Sequence, residues 1–593
     1  MKRFIAALMA VLVVLTLLAA CSKDNQNENP DSSSDSTQSA NPSTGPSSNP
    51  SSNPSSSTVP NIIPEGMEEE EWVLMPSKRG DVARLALDIS NNLQPKNPGT
   101  IHIYMNQTAA LDPAHSNLME HCWCENVYES LFRKGTDGEF EPVLATEWYF
   151  DDQGRFHAIL REGVKFHDGS GRIMTAEDVL YSVKRVVESP RSNAYAGMQG
   201  VDIENSYAEN DYHVVIAFRA PTAAFMNFMA STYLGIVNKE FFEEVGPDYD
   251  FLSKSAGTGA YYVVDTVTGR SQTFKRFDDY WRGKPLMETI IATRYDDNLT
   301  AMGIDYENRD LDISLINTWE TISRALDGEI SDTYYYNVPN SRGVMMRYST
   351  MNGPFSDIRV REAFSLAINP DDLVLAVFEN PAIAVPATKV MIDGSYMGEH
   401  EYDIEKSKQL MQEAGYGPNN RLTINVYTSD YQPSVAMLEL IQIIVEEIFI
   451  DVKIEIGTSP GMTALMASLE FPSAYDAIMS NYSVTPDPEL FYNLVDAYGK
   501  EPGTFSGLKG IDDEYTCSLL RALPTTTDLD ERAKLIDEID RIFWDRNYYT
   551  PLLLITSACL AQGYIDPDSV IWRDGYGLYW YDLKYADWVN YNG

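Results

Sequence analysis

The chain is short of positive charge. Lys and Arg number 45 against 87 Asp and Glu, for a formal net charge of -42 over 593 residues. Phosphate binding needs a basic face, so nucleic acid is excluded as a partner. What the imbalance fits is an acidic, solvated surface that keeps the chain soluble. Histidine is scarcer still, with seven in all and none after His400. That bears on G-T-S-P-G at 457–461, which matches G-x-S-x-G between a strand pattern and a helix pattern. No histidine follows to complete the order Ser, acid, His, and Pro460 has no N–H for an oxyanion hole. The chain also lacks H-E-x-x-H and a phosphate-cradling P-loop, and no local carboxylate pair of the glycosidase kind stands out. It is expected not to be an enzyme and to need no cofactor. Cysteines number five. Cys122 and Cys124 lie two apart in a helical pattern and do not share a face, so H-C-W-C is not read as a metal site. An exported chain permits a disulfide, but spacing does not fix a pairing.

Between Asp31 and Pro60 there is no aromatic and no basic residue. Such a segment cannot bury enough apolar surface to offset its ordering entropy, so residues 21–70 are expected to be a disordered Ser/Asn/Pro linker. A tether of about 40 residues reaches roughly 35 Å. Ahead of it, M-K-R leads into an apolar run from Phe4 to Leu18. The run is short for a membrane span and reads as a secretory signal over 1–20. L-A-A-C, ending at Cys21, resembles the bacterial lipobox. That resemblance implies cleavage before Cys21 and a diacylglyceryl thioether on its sulfur, an anchor with more than one acyl chain. The expected location is the outer face of a Gram-positive cell membrane, or a periplasm.

From about residue 70 the chain has ample Leu, Ile, Val, Phe and Tyr for a large core, and its length suggests two or more lobes. T-I-H-I-Y-M at 100–105 alternates as a strand, L-D-P at 111–113 turns the chain, and N-L-M-E-H-C-W-C-E-N-V-Y-E-S-L-F reads as a helix. E-W-Y-F-D-D and R-F-H-A-I-L-R flank D-D-Q-G-R, a hairpin signal because Gly154 takes positive φ. Thr175 is an expected N-cap with Glu177 and Asp178 in the first turn. Strands and helices alternate from about 345 to 550, as an α/β lobe requires, and the earlier part is richer in strands. His167 reads as a turn histidine rather than a general base.

Several of these stretches, in this order, resemble the peptide-type extracellular solute-binding proteins of ABC importers (family 5, the oligopeptide-, dipeptide- and nickel-binding group). The resemblance rests on L-D-P at 111, N-V-Y-E-S-L at 126, L-R-E-G-V-K-F-H-D-G at 160 and T-A-E-D-V-L-Y-S-V at 175. It is extended by G-T-G-A-Y at 257, R-F-D-D-Y-W-R-G-K-P at 276, F-S-D-I-R-V-R-E-A at 355, E-K-S-K-Q-L-M-Q-E-A-G-Y at 405 and P-D-P-E-L-F at 486. It implies an α/β, two-lobed periplasmic-binding-protein-like type II fold with an extra strand-rich subdomain in lobe I. Carried onto this chain, lobe I takes 98–343 and 553–593, with the subdomain at about 130–235. Lobe II takes 344–552. The implied function is a receptor, expected as a monomer, that captures peptide-like ligands in the interlobe cleft and hands them to a permease driven by a separate cytoplasmic ATPase.

The resemblance also points to ligand-binding positions. The prolines of T-P-D-P cut strand pairing, having no N–H, so backbone just before them is free to meet an extended ligand. This gives Asn481, Tyr482, Ser483 and Val484 as one wall, and Ser116, Asn117 and Leu118, after L-D-P, as the other. Trp319 is an aromatic wall or, equally, a core tryptophan. In peptide-binding relatives an acidic residue four positions before the final proline pairs with the ligand's amine. Here that position is Val484, which cannot supply the partner a buried ammonium needs. An oligosaccharide ligand stays open, since C-terminal G-L-Y-W-Y-D is aromatic, as do a surface sensor and a hydrolase on the same scaffold. Nickel is disfavoured by the scarcity of histidine.

Overall fold

A computed structural model describes residues 73–75, 82–105, 112–115, 121–134, 139–192, 194–246, 249, 252–295, 299–314 and 319–350. It continues through 353–378, 384–390, 396–458, 461–462, 465, 474–483, 514–573 and 577–591. Cys21 and the expected signal and linker lie outside these residues. No helix among the described residues is long and apolar enough to cross a membrane.

Thr100–Met105 alternates apolar residues so evenly that Ile101, Ile103 and Met105 are fully buried. Such a strand needs partners on both edges. It pairs in parallel with Thr289–Arg294 on one side and with Ile313 on the other. The adjoining helix stops early. The N-L-M-E-H-C-W-C-E-N-V-Y-E-S-L-F pattern predicts a helix to Phe132, yet it ends at Val127, and Phe132 opens a strand. The cause is local: the Val127 carbonyl accepts from Gly259 N and from His167 Nε2, at 3.0 and 2.9 Å, and cannot continue the helix ladder. Val73–Met75 and Val82–Leu87 are strands as well, and Val82–Leu87 adds an edge to Thr333–Asn337. Sequence reading assigned no structure to that segment.

The strand-rich subdomain is a four-stranded antiparallel sheet. β1 (Ala145–Phe150) and β2 (Phe156–Leu160) form the expected hairpin, with Gly154 at φ +73°. β3 (Val201–Asn210) pairs with β4 (His213–Phe218), which pairs with β2. Phe156, Ala158, Leu160, Val214 and Ile216 face its core. Helix Ala176–Val187 covers that core with Val179, Val183 and Val186. At its start, the fully buried Asp178 accepts from Thr175 N at 2.9 Å and from Arg172 Nη1 at 2.8 Å.

Two long strands join the lobes. β5 (Thr333–Tyr348) lies in the first core through Tyr334, Tyr335 and Tyr336, and in a second core through Val344, Met346 and Tyr348. β6 (Leu422–Ser429) and β7 (Ala477–Ser483) belong to the second lobe. β8 (Tyr549–Gln562) runs antiparallel to β5, contributing Leu552, Leu553 and Ile555 to the second core and Ala558 to Ala561 to the first. The ladder is broken where the cores change: Val338 pairs with Ser557, and the next partners are Arg342 and Ile555. Three residues of β5 oppose one of β8 there, a bulge that bends the strand. This is a two-lobed α/β fold of the periplasmic-binding-protein kind.

Candidate functional site

The end of β7 lies beside that bulge. On one side it is paired with β5, Asn481 to Val344, Tyr482 to Gly343 and Ser483 to Arg342. On its other side it meets β6 only at Ala477 and Ile478, with Thr428 Oγ1 donating to the Met479 carbonyl at 3.4 Å. Among the described residues no strand covers that side of Ser480–Ser483. That side of the backbone thus has no strand partner among the described residues, and an extended ligand can complete such an edge with strand-like hydrogen bonds. The backbone expected to be free before the proline corner is thus paired with β5 on one side, while the corner itself lies outside the described residues.

Polar and aromatic groups gather at this edge. Ser434 Oγ, in the first turn of helix Gln432–Val445, donates to Asn481 Oδ1 at 3.5 Å. Arg342 lies 5.8 Å from the centroid of the Tyr431 ring, within cation–π range. Arg342, Tyr431 and Ser434 were not read from sequence. The available signal was P-N-S at 339–341 inside an otherwise apolar strand pattern, which marks a bulge. Of the sequence-derived positions, Asn481 to Ser483 come to this edge. Ser116, Asn117, Leu118 and Val484 lie outside the described residues. Trp319 opens helix Trp319–Leu326, but its side chain is outside what is described. Ser459 and Pro460 of G-T-S-P-G are outside as well. Trp580 of the C-terminal aromatic run is fully buried, its ring 5.8 Å from Tyr261 and 4.9 Å from Phe274, so it is core packing.

The shared motifs converge elsewhere, on Glu129 of N-V-Y-E-S-L. Its carboxylate accepts from Thr258 Oγ1 at 2.9 Å, Tyr280 OH at 2.6 Å and Trp281 Nε1 at 2.9 Å. Burial pushes the Glu129 carboxyl up, only partly offset by these donors. Gly257 and Gly259 of G-T-G-A-Y explain themselves sterically: a Cβ would stand 2.2 Å from the Val127 oxygen and 2.4 Å from that of Asn126. Glu125, Glu129, Arg133, Trp281 and Tyr579 line a pocket of about 170 Å³ here. That is below the roughly 300–1,000 Å³ of ordinary small-molecule sites, so it is not read as the solute site. His167 is fully enclosed, and burial lowers its pKa to about 4, leaving a neutral ring that donates to Val127. Its role is to fasten the turn.

One constellation has the spacing of a hydrolytic triad. Asp112 Oδ2 is 2.8 Å from His115 Nδ1, and His115 Nε2 is 2.8 Å from Ser189 Oγ. Two facts argue against nucleophilic chemistry. Pro190 follows the serine and offers no N–H to an oxyanion, and Arg185 Nη2 holds the same Asp112 oxygen at 2.7 Å. The group instead ties the L-D-P turn to helix Ala176–Val187. Burial alone would raise the Asp112 carboxyl, but the His115 hydrogen bond and the Arg185 charge outweigh it and hold it at about 2. Its folded pKa lies below the unfolded value, so the unfolded chain binds the proton more tightly. Roughly 2 kcal/mol of stability is therefore present above pH 4 and lost between pH 4 and about 2. In Asp112→Asn that slope should vanish from a denaturant-midpoint series against pH. Stability at pH 7 should fall by ~3 kcal/mol, because Arg185 loses its charge partner.

The family model for bacterial extracellular solute-binding proteins, family 5 (middle region), matches residues 139–501, more than half of the chain. Over 324 residues the chain is 26% identical to a heme-binding protein A of Haemophilus influenzae, covering 50% of this chain and 57% of that one. Over 308 residues it is 24% identical to a dipeptide-binding protein of Escherichia coli, covering 48% and 56%. The matches thus span just over half the length of these relatives. The crystal structure of the ABC transporter substrate-binding protein CtaP from Listeria monocytogenes superposes with a TM-score of 0.71 at 19% identity, over 83% of this chain and 100% of that one. Fold, motif order and matched span agree: the chain belongs to the bacterial extracellular solute-binding proteins, family 5.

Proposed function

We propose that the protein is a lipid-anchored extracellular receptor of an ABC importer, capturing peptide-like ligands between its lobes and delivering them to a membrane permease powered by a separate ATPase. It acts as a binding protein and not as an enzyme. The observation that carries this reading is the backbone of Ser480–Ser483, one side of which no described strand covers, beside the bulged crossing. An extended peptide pairs with such an edge through its own main chain and leaves side-chain choice to surrounding pockets. The lobes divide near 343 and 553, and the ligand favours the closed arrangement by contacting both. In this reading Ser116, Asn117 and Leu118 are the lobe I positions that would contact the ligand, with Trp319 as a further wall. The dipeptide-binding relative supports the ligand class by its name.

Val484 makes this receptor depart from an amine-clamping relative. The ligand either has no free amine at that end or meets another carboxylate. Cys21 carries the anchor, and Cys21→Ala should release the protein from membranes into the medium.

The test is to denature the purified protein and identify the released small molecules by mass spectrometry, for wild type and Val484→Asp. Peptides from the wild type are expected. Release of sugars, or of peptides from Val484→Asp alone, would replace the peptide reading.

A further inference from the structure

The outer face of the subdomain sheet carries a row of groups that solute capture does not use. β2 and β4 are antiparallel with His157 opposite Val215 and Ile159 opposite His213. His157 and His213 are therefore diagonal neighbours on one face, within side-chain reach. Their rings meet through His157 Nδ1 and His213 Nε2, 2.9 Å apart. Each outer nitrogen has its own carboxylate: His157 Nε2 lies 3.1 Å from Asp151 Oδ2, and His213 Nδ1 lies 3.0 Å from Glu209 Oε2. Tyr149 stacks on His157 at 4.8 Å and 10°, closing one side.

Proton counting makes this row unusual. A carboxylate only accepts, so each outer nitrogen must carry its N–H. With both rings neutral, the two inner nitrogens would then turn lone pairs on one another across 2.9 Å. Two facing lone pairs repel unless something positive lies between them. We propose that His157 and His213, with Glu209 as third ligand, bind a divalent transition-metal ion of the zinc class on the subdomain surface, apart from the solute edge.

The chemistry fits the donor set. Imidazole nitrogen and a carboxylate suit zinc, nickel or copper better than magnesium or calcium. One donor atom from each of His157, Glu209 and His213 lies within 4.8 Å of the others. Tetrahedral zinc with bonds of about 2.0–2.1 Å puts two nitrogens about 3.3 Å apart, so the rings must part by about 0.4 Å and tilt until both lone pairs meet at an ion off the N–N line. Glu209 is exposed and, once the ion holds His213 Nε2, can leave the Nδ1–H to water and turn toward the ion, leaving a fourth position for water. Asp151 stays behind His157 and orients its ring, an arrangement common around bound metals. Arg155 is the nearby cation, and its charge is taken up by Asp151 at 2.7 Å.

The full chain, purified in detergent, is dialysed against zinc chloride, and bound zinc per chain is measured for wild type, His213→Gln and Glu209→Gln. The expected result is about one equivalent on the wild type, at least tenfold weaker binding in His213→Gln and an intermediate loss in Glu209→Gln. Diethyl pyrocarbonate labelling of unmutated protein gives a readout independent of any variant. Zinc should slow modification of His213, mapped by mass spectrometry. Equal zinc on wild type and His213→Gln, no zinc on the wild type, or unchanged labelling would each overturn the proposal. The last two would leave a bridging proton as the only cation between the rings.

Discussion

Glu129→Ala is expected to lower the unfolding free energy by ~3 kcal/mol or more, one of the largest effects of any single substitution here. The carboxylate accepts from Thr258 and from the adjacent Tyr280 and Trp281, donors that come from two separate chain segments. Thr258 is fully buried and Tyr280 nearly so. Removing the acceptor leaves buried donors unmatched, at about 1–3 kcal/mol each, moderated where water enters the adjoining pocket. Location magnifies the result. Val127 and Tyr128 belong to the lobe I core, Leu131 and Phe132 to the subdomain core, and Trp281 packs against both. Glu129 thus fastens the subdomain to the lobe, and its loss should separate their melting in calorimetry. Glu129→Gln keeps shape and an acceptor oxygen and should cost about 1 kcal/mol. The two also differ in pH dependence. The folded carboxyl titrates above its unfolded value because burial disfavours the charge. The native state then holds the proton more tightly, so wild-type stability falls as pH rises through the window above 4.5. Glu129→Gln should lack that fall, and an unchanged slope would show that the carboxyl is not the group responsible.

Local patterns were legible in the sequence wherever one segment determines its own shape. Gly154 in D-D-Q-G-R fixed a hairpin, and Asp403 and Gly415 bounded the helix Ile404–Glu413 as cap and stop. The same patterns failed where a distant group intervenes. Nothing between residues 117 and 132 announces that the Val127 carbonyl is claimed by Gly259 and His167. Likewise Glu129, Thr258, Tyr280 and Trp281 stood out as motif members, but their common hydrogen bonds depend on chain segments 129 and more residues apart. His157 and His213 are hidden for the same reason, since their meeting depends on the register of two strands 56 residues apart. At the candidate edge, the expectation of a corner at T-P-D-P rests on proline's missing N–H, a property of the residue itself. Arg342 and Ser434 were not readable, because what places them is the pairing of β5 with β7 and the entry of a helix.

The bulge in β5 leads to the second large effect. Residues 339–341 face only Thr556 across the ladder. Deleting Pro339 and Asn340 would leave Ser341 opposite Thr556 and make the pairing one to one. A two-residue deletion preserves side-chain alternation, so Arg342 to Tyr348 keep their faces and both cores keep their members. It also removes a proline, whose missing N–H suits a bulge and not a continuous ladder. The shortened protein should therefore fold, with a stability close to that of the wild type. What changes is the freedom of one lobe to turn against the other: the second irregularity, between Val344 and Met345, stays, but a ladder paired one to one where the cores change resists the bending that a bulge there permits. If solute is held by closure about this crossing, the deletion should retain at least tenfold less co-purified ligand than the wild type, since only contacts with one lobe survive. Small-angle scattering supplies the matching measurement. Stripping ligand from the wild type should raise its radius of gyration, while the deletion should give the same value before and after. Equal changes in both would place the hinge elsewhere, while loss of folding would show that the bulge serves the cores themselves.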